Sequence, residues 1–523
     1  MTAKAQISVT DVGPRAARRI SREEVIVGRD VIELLSSGMY TDPLTIYREY
    51  IQNAADAVDR ARAEGLLRAN EGEVTVRIDA AARAVTITDD GIGIPKKDFV
   101  RRLASLGASS KRGLGERGFR GVGRLSGLAY AQELIFRTRT GGKSVVEMRW
   151  DCRRLRALMR VAEGPADVAA LMAEVVSVAE VPTDRPSLRF FEVELVGVAR
   201  LRGDRLMNPG LIRQYLSQVA PLPFDEGFSH GAEIQAVLAA AGVRLGNIRL
   251  TVNGGPVFRP HLDTFEMSPG RLAKHEEVEF FEITGTDDRL AAVGWLLHHP
   301  YEGALPTETL IKGLRVRVGN IQIGEANLLD ELFAEPRFNS WTIGEVHVVD
   351  ARIVPNGRRD GFEQDAHFAN FANRLAPLAR SIGRRCRISS TQRKLLRDAE
   401  ATLDNAELAV AKLEQNAVGE AAWISLATVA SKALARAERF ALENGIIVGR
   451  RDQVMRRVSS LKKRMTRLHD LPAQTEPLAL VPVAQRRAYE HMIELIYDCS
   501  TDEAAATALV DRILKRLRRT TAR

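Results

Sequence analysis

No run of about 18 apolar residues occurs anywhere in the 523-residue chain, so no segment is long and apolar enough to cross a bilayer as a helix. Cysteine is scarce. Cys152, Cys386 and Cys499 are far apart and odd in number, which argues against a disulfide frame or a zinc cluster and fits a reducing compartment. The first residues carry Lys4, Arg15, Arg18 and Arg19 among small and polar side chains, without the apolar stretch of a secretory leader. A cytoplasmic location is therefore expected. No internal repeat is found, and no Gly-Lys-Ser/Thr completes a nucleotide P-loop. None of the nine histidines precedes the mixed α/β region on a paired dimerisation helix, which disfavours a phosphotransfer histidine.

What is present is ordinary for a globular protein: 45% hydrophobic and 27% charged residues. The length exceeds what one core supports, so two to four domains are expected. Lysine and arginine number 76 against 67 acids, a formal charge of +9. That balance permits binding to nucleic acid or acidic proteins, and it equally describes a solvated, arginine-rich surface.

Residues 1–24 are polar and arginine-rich and read as an arm. From Val25 to about Phe224 helix and strand patterns mix. Thr45–Arg62 holds no helix breaker, with Pro43 before it and Thr41 or Asp42 as the expected cap. Glu73–Ile78 and Ala84–Thr88 alternate like paired strands. A second α+β region runs from about Ala232 to Leu378, with strands at Arg249–Val252, Leu314–Val318 and Val346–Val349. A helical tail follows from near Ser390, where Leu395, Leu396, Leu403, Leu408 and Leu413 recur at helical spacing. Leu509, Ile513, Leu514 and Leu517 form a further apolar stripe.

Three short stretches carry chemistry. In E-Y-I-Q-N-A-A-D-A, Glu49, Asn53 and Asp56 fall at i, i+4 and i+7, one face of the first helix, with Ile51, Ala54, Val58 and Ala61 opposite. Asn53 offers a neutral oxygen to magnesium, and Glu49 is placed to orient and deprotonate an attacking water. A merely solvated polar face would look the same. In D-D-G-I-G, Asp89 closes a strand and can accept a hydrogen bond from an adenine amine, while Gly91 and Gly93 let a base approach the backbone. In G-F-R-G-V-G, Gly118, Gly121 and Gly123 can fold backbone N–H groups around phosphates. The small, polar stretch 106–115 between the last two has the character of a lid.

The ordered set E-x-x-x-N-A-x-D-A, D-x-G-I-G and G-x-x-G-x-G resembles the GHKL ATPase superfamily of gyrase, heat-shock protein 90, histidine kinases and MutL. The heat-shock protein 90 type is the nearest look, since I-E-L-L-S-S-G-M-Y-T-D-P-L-T-I-Y-R-E-Y-I-Q-N-A-A-D-A-V-D-R-A-R is similar to its opening helices. The segments G-L-R-V-R-V-G-N-I-Q-I-G-E and R-F-N-S-W-T-I-G-E-V-H-V-V-D-A-R-I-V-P-N-G-R-R-D resemble its middle domain. The resemblance implies an α+β chain: a Bergerat-type ATPase sandwich at 25–228, an α+β middle (transducer) domain at 229–385 and an all-helical region at 386–523. It implies ATP and Mg2+ as cofactors, Glu49 and Arg359 as catalytic residues, and Asn53 as the metal ligand. Nucleotide contacts carried over are Asn53, Asp56, Asp89, Gly91, Gly93, Ser109, Ser110, Lys111, Gly118, Gly121, Val122 and Gly123. Asn356 and Asp360 flank the arginine in the matching middle-domain loop.

The departures are specific. Ala108-Ser109-Ser110-Lys111 is closer to MutL, and Pro186-Ser187-Leu188-Arg189-Phe190-Phe191 lacks the usual strand threonine. Arg101 and Arg102 replace uncharged polar residues, and Ser390–Arg523 matches nothing in the chaperone's dimerisation domain. The expected function is an ATP-driven molecular clamp, homodimeric and chaperone-like, with a protein client. The alternative is a nucleic-acid-associated ATPase of MutL or MORC type. The helical tail is left as either a dimer contact or an internally packed element.

Overall fold

A computed structural model describes residues 42–105, 123–141, 144–161, 167–183, 189–415, 420–442, 448–470, 478 and 481–520. The expected contacts Ser109, Ser110, Lys111, Gly118, Gly121 and Val122 lie outside the described residues, as do Ser187 and the arm at 1–24. The chain divides into two compact units. The first comprises residues 1–299, 305–332 and 342–376; the second comprises 300–304, 333–341 and 377–523.

The first unit opens on helix α1 (Thr45–Ala63), with Asp42 Oδ1 accepting from the Leu44 amide at 3.1 Å just ahead of it. Strands β1 (Glu73–Asp79) and β2 (Ala84–Asp89) pair antiparallel, as their alternation predicts. Helix α2 (Lys96–Ala104), strands β3 (Glu133–Arg139) and β4 (Ser144–Asp151), and helices α3 (Cys152–Arg160) and α4 (Val168–Val175) follow. After these come β5 (Val176–Pro182), β6 (Phe190–Val196), α5 (Pro209–Val219), α6 (Gly231–Ala240), β7 (Arg249–Val252) and β8 (Gly255–Val257). The eight strands form one sheet in the order β5-β4-β3-β6-β2-β1-β7-β8. Its apolar face packs under α1, where Tyr47, Ile51, Ala54 and Val58 are buried in one cluster with Val76, Ile87, Phe136 and Val193.

One strand departs from expectation. Arg249–Val252, read as part of the second region, lies parallel to β1 and extends the first sheet. Four residues of alternating apolarity carry no information about their partner, and here the open edge of β1 supplied one.

A small ribbon, β9 (Thr264–Ser268) with β10 (Arg271–Lys274), leads to a second sheet. This contains β11 (Glu277–Thr284), β12 (Leu290–His298), β13 (Gly313–Val318), β14 (Ile321–Ile323) and β15 (Ile343–Val348), in the order β11-β12-β15-β13-β14. An interior ion cluster ties this sheet to α5. The fully buried Glu345 carboxylate receives Arg259 Nη1 at 2.6 and 2.8 Å, Arg317 Nε at 2.6 Å, and lies 3.1 Å from His347 Nε2. Arg317 Nη2 then donates to the Gln218 carbonyl at 2.7 Å, and Arg315 Nη1 to the Gln218 side chain at 2.9 Å. The two guanidiniums hold the Glu345 carboxyl well below the usual carboxylate range despite its burial.

The second unit is helical. Helix α7 (Ala366–Gln415) begins in the first unit and continues through Pro377. The sequence pattern placed this helical region later, near Ser390. The buried run Leu375, Ala379, Ile382 and Cys386 keeps the helix continuous where one backbone bond is lost to proline. The far half of α7 packs with α8 (Glu420–Leu442) and α9 (Val448–Asp470) around Leu403, Val410, Leu434, Val454 and Leu461. Helices α10 (Val483–Cys499) and α11 (Glu503–Thr520) bury Ile493, Tyr497, Val510 and Leu514 against each other. Leu514 of the C-terminal stripe is thus an internal contact, whereas Leu509 remains 40% exposed.

Candidate functional site

The polar stripe of α1 is not a solvated face. Glu49 is 7% exposed and Asp56 4%, while Asn53 is half-buried. Asn53 and Asp89 line one cavity between α1 and the sheet, together with Tyr50, Ile87, Arg124, Phe136 and Phe191. The cavity is small, about 20 Å³, room for one water. Glu49 is not in its lining. It stands one turn earlier on the helix, against Gly123, where any Cβ would run into the Glu49 carboxylate. Gly123 therefore has a steric reason to be glycine that is separate from phosphate binding.

Asp89 ends β2 with 4% exposure, and its Oδ1 accepts from the Gly91 amide at 3.0 Å. Burial pushes the Asp89 carboxyl up to about 8, with the Gly91 amide opposing the rise. A Cβ at Gly91 would sit 2.6 Å from the Ala57 carbonyl carbon, so the turn presses directly on α1. Gly93 has φ +68°, a left-handed conformation that glycine adopts without penalty. Arg189 clamps the same turn, donating Nε to the Gly91 carbonyl at 2.7 Å and Nη2 to the Asp90 carbonyl at 3.4 Å. The next amide along, Ile94, donates to Thr138 Oγ1 at 2.9 Å.

The second sheet delivers an arginine to α1. After β15 the chain turns back at a Pro355–Phe362 bridge, and the loop between is closed by Asn356 Nδ2 donating to Asp360 Oδ1 at 2.6 Å. Arg359 holds φ +58°, a strained position for a residue with a side chain, and its carbonyl accepts from the Gly324 amide at 2.8 Å. From there Arg359 Nη1 donates to Gln52 Oε1 at 2.5 Å, and Nε lies 4.0 Å from Glu49 Oε1. Arg48 completes the group: its Nη2 is 3.3 Å from Glu49 Oε1 and donates to the Arg358 carbonyl at 3.2 Å. Two guanidiniums and one carboxylate thus meet at the exit of the α1 stripe.

Arg48, Gln52, Arg124 and Arg189 were not among the expected site residues. Arg48 and Gln52 flank the expected pair in sequence, but only the approach of the 355–362 loop gives them a role. Arg124, half-buried, donates Nε to the Leu103 carbonyl at 3.2 Å, and burial lowers its guanidinium to about 10. Tyr50 Oη links it to the core by donating to the Arg124 carbonyl at 3.1 Å and accepting from the Gly127 amide at 3.0 Å.

A helix over a mixed sheet, with a buried acid and an asparagine on its polar stripe and an aspartate–glycine turn beneath, makes up the candidate site. Residues 44–166 match the family described as histidine kinase-, DNA gyrase B-, and HSP90-like ATPase. Among individual proteins it is similar to bacterial chaperone protein HtpG. It is 32% identical to that of Polaromonas naphthalenivorans over 139 residues, 23% of this chain and 22% of the relative. Identity to the Methylorubrum extorquens (strain PA1) protein is 38% over 104 residues, 18% of this chain and 16% of the relative. With the Chromobacterium violaceum protein the match is 26% over 231 residues, 40% of this chain and 33% of the relative. The chain thus spans between about a sixth and a third of the length of these curated relatives.

Proposed function

We propose that this chain is an HSP90-like ATPase that hydrolyses Mg-ATP and couples the nucleotide to closure of a dimeric, chaperone-like clamp. The observation that carries the reading is the meeting of Arg359, from the second sheet, with Glu49 and Gln52 on the helix that also bears Asn53. Asp89 accepts from the adenine amine, and the Gly91–Gly93 turn lies under the base. Because the cavity holds little more than a water, a purine would enter only as the lining opens. Gly123, with Gly118, Gly121, Val122, Ser109, Ser110 and Lys111, would surround the phosphates, and Asp56 would support the base wall.

Asn53 would hold the magnesium ion. Its neutral oxygen on the cavity wall suits a metal that arrives with phosphate oxygens and water, and no group of three or more His, Cys, Asp or Glu offers a cage among the described residues. When bound, magnesium neutralises part of the phosphate charge. Glu49 would take a proton from the attacking water, which requires that it part from Arg48 and Arg359. Arg359, redirected to the terminal phosphate, would stabilise the charge of the transition state, so hydrolysis depends on the second sheet being docked. Homodimerisation, a protein client and a cytoplasmic location follow from the same reading.

The test is phosphate release from Mg-ATP by the full chain, beside a direct ATP titration. Saturable binding with slow release that Glu49→Ala abolishes supports the proposal. Absence of both binding and release ends it.

A further inference from the structure

Charge on α7 is divided by position. Between Ala366 and Arg397 the helix has no acid, and from Arg374 to Arg397 it carries eight cations; from Asp398 onward acids predominate. Three acids of the acidic half are paired within the bundle: Arg457 of α9 donates to Asp404 and Glu407 at 2.8 and 2.9 Å, and Arg464 to Glu414 at 2.7 and 2.8 Å. The basic half is treated differently. Arg380, Arg384, Arg387 and Lys394 recur at intervals of three or four residues, or of two turns, and share one exposed face. Among the described residues Arg380, Arg384 and Lys394 meet no acidic partner, and neither does the flanking Arg397. Arg387 pairs with Glu335, an acid that also serves the exposed Arg337.

Like charges one turn apart cost a helix a few tenths of a kcal/mol each, and of this row Arg387 alone meets an acid among the described residues. Arg457 and Arg464 of the bundle meet acids of α7, whereas the row presents its cations to solvent along one face, a surface suited to an anion. Its shape narrows the choice. The row runs about 21 Å along a rigid helix with a cation every 4.5–10 Å, a spacing suited to a repeating polyanion. Ser390 and Thr391 add hydroxyls along the same stretch. A membrane-surface helix would need bulky apolar residues beside the cations, and Ile388 is the one large apolar side chain strongly exposed between 377 and 397.

We infer that this face of α7 docks the phosphate backbone of nucleic acid without reading sequence. The inference rests on the second unit and does not depend on the ATPase reading. The full chain should bind a 30-base-pair duplex or a 30-nucleotide single strand of arbitrary sequence, measured by fluorescence anisotropy across a salt series. With about five phosphates neutralised, the log–log slope should be near −4, a loss of about 250-fold between 50 and 200 mM salt. The variant Arg380→Gln/Arg384→Gln/Lys394→Gln should flatten the slope by about three units, since glutamine preserves helix propensity and removes charge. Arg153→Gln/Arg160→Gln/Arg249→Gln, with the same charge removed from the first unit, should bind as the unaltered chain does. The inference is overturned by no binding to either nucleic acid at 50 mM salt. It is equally overturned by a triple α7 variant that keeps its helical circular dichroism and an unchanged slope, or by capture on anionic vesicles without nucleic-acid binding.

Discussion

Arg359 Nη1 donates to Gln52 Oε1 at 2.5 Å, joining residues 307 positions apart in sequence. The contact is geometrically demanding. Arg359 sits at φ +58°, and Gln52 is 1% exposed, so a strained loop residue is held by a buried amide. With Arg48 bridging Glu49 to the Arg358 carbonyl, the second sheet is latched to α1 at two neighbouring points.

Replacing Arg359 by Ala should lower ATP turnover about 100-fold, the scale of losing one transition-state donor, while ATP affinity stays unchanged. Gln52→Ala should have a smaller effect of about tenfold, because it removes the guide and leaves the cation. Single-turnover phosphate release and an ATP titration on each variant check both.

Glu49→Ala should abolish turnover and leave ATP binding intact, because the carboxylate stands outside the cavity lined by Asn53 and Asp89. Gly123→Ala should mimic it, since the new methyl would displace the Glu49 carboxylate. Equal loss of binding and turnover in Glu49→Ala would contradict its assigned role.

Asp89 predicts a pH dependence. Its carboxyl stands at about 8 in the folded chain against an ordinary 3.8, because burial penalises the charged form. The native state therefore keeps a proton that the unfolded chain releases, so this group's contribution is complete below about pH 4 and lost as pH rises towards 8. An ionised carboxylate is the better acceptor for an adenine amine, so affinity for adenosine should rise from pH 6.5 to pH 8.5. Calorimetric titration across that window should show the rise in the unaltered chain and a flat response in Asp89→Asn.

Glu345→Gln should destabilise the first unit by about 3–5 kcal/mol, because Arg259 and Arg317 would remain buried without their counter-charge. Denaturant unfolding measures the loss. Depression of the Glu345 carboxyl below 4.5 adds that the cluster's contribution is present above that value and declines as acid drives protonation.

Much of the local structure around the candidate site was legible before any fold was known. The i, i+4, i+7 spacing placed Glu49, Asn53 and Asp56 on one face of a helix that forms at Thr45–Ala63, and alternation marked β1 and β2 within a residue. These are local properties: side-chain direction follows from helix or strand period, and glycine turns announce themselves by type. The partner of Arg249–Val252 was not legible, because strand pairing is decided by which edge lies open. Arg189's hold on the Gly91 carbonyl and Gly123's place against Glu49 were equally hidden, since each needs two distant segments to be brought together.

The sequence alone determined the helix with its polar stripe, the aspartate–glycine turn and the segregation of charge along α7, all set by neighbours within a few residues. Tertiary structure alone decided that Asn53 and Asp89 share a cavity from which Glu49 stands apart, and that Arg359 finds Gln52. The reason is physical. Period and propensity act over one or two turns, whereas a buried polar contact exists only when packing excludes water from both partners at once.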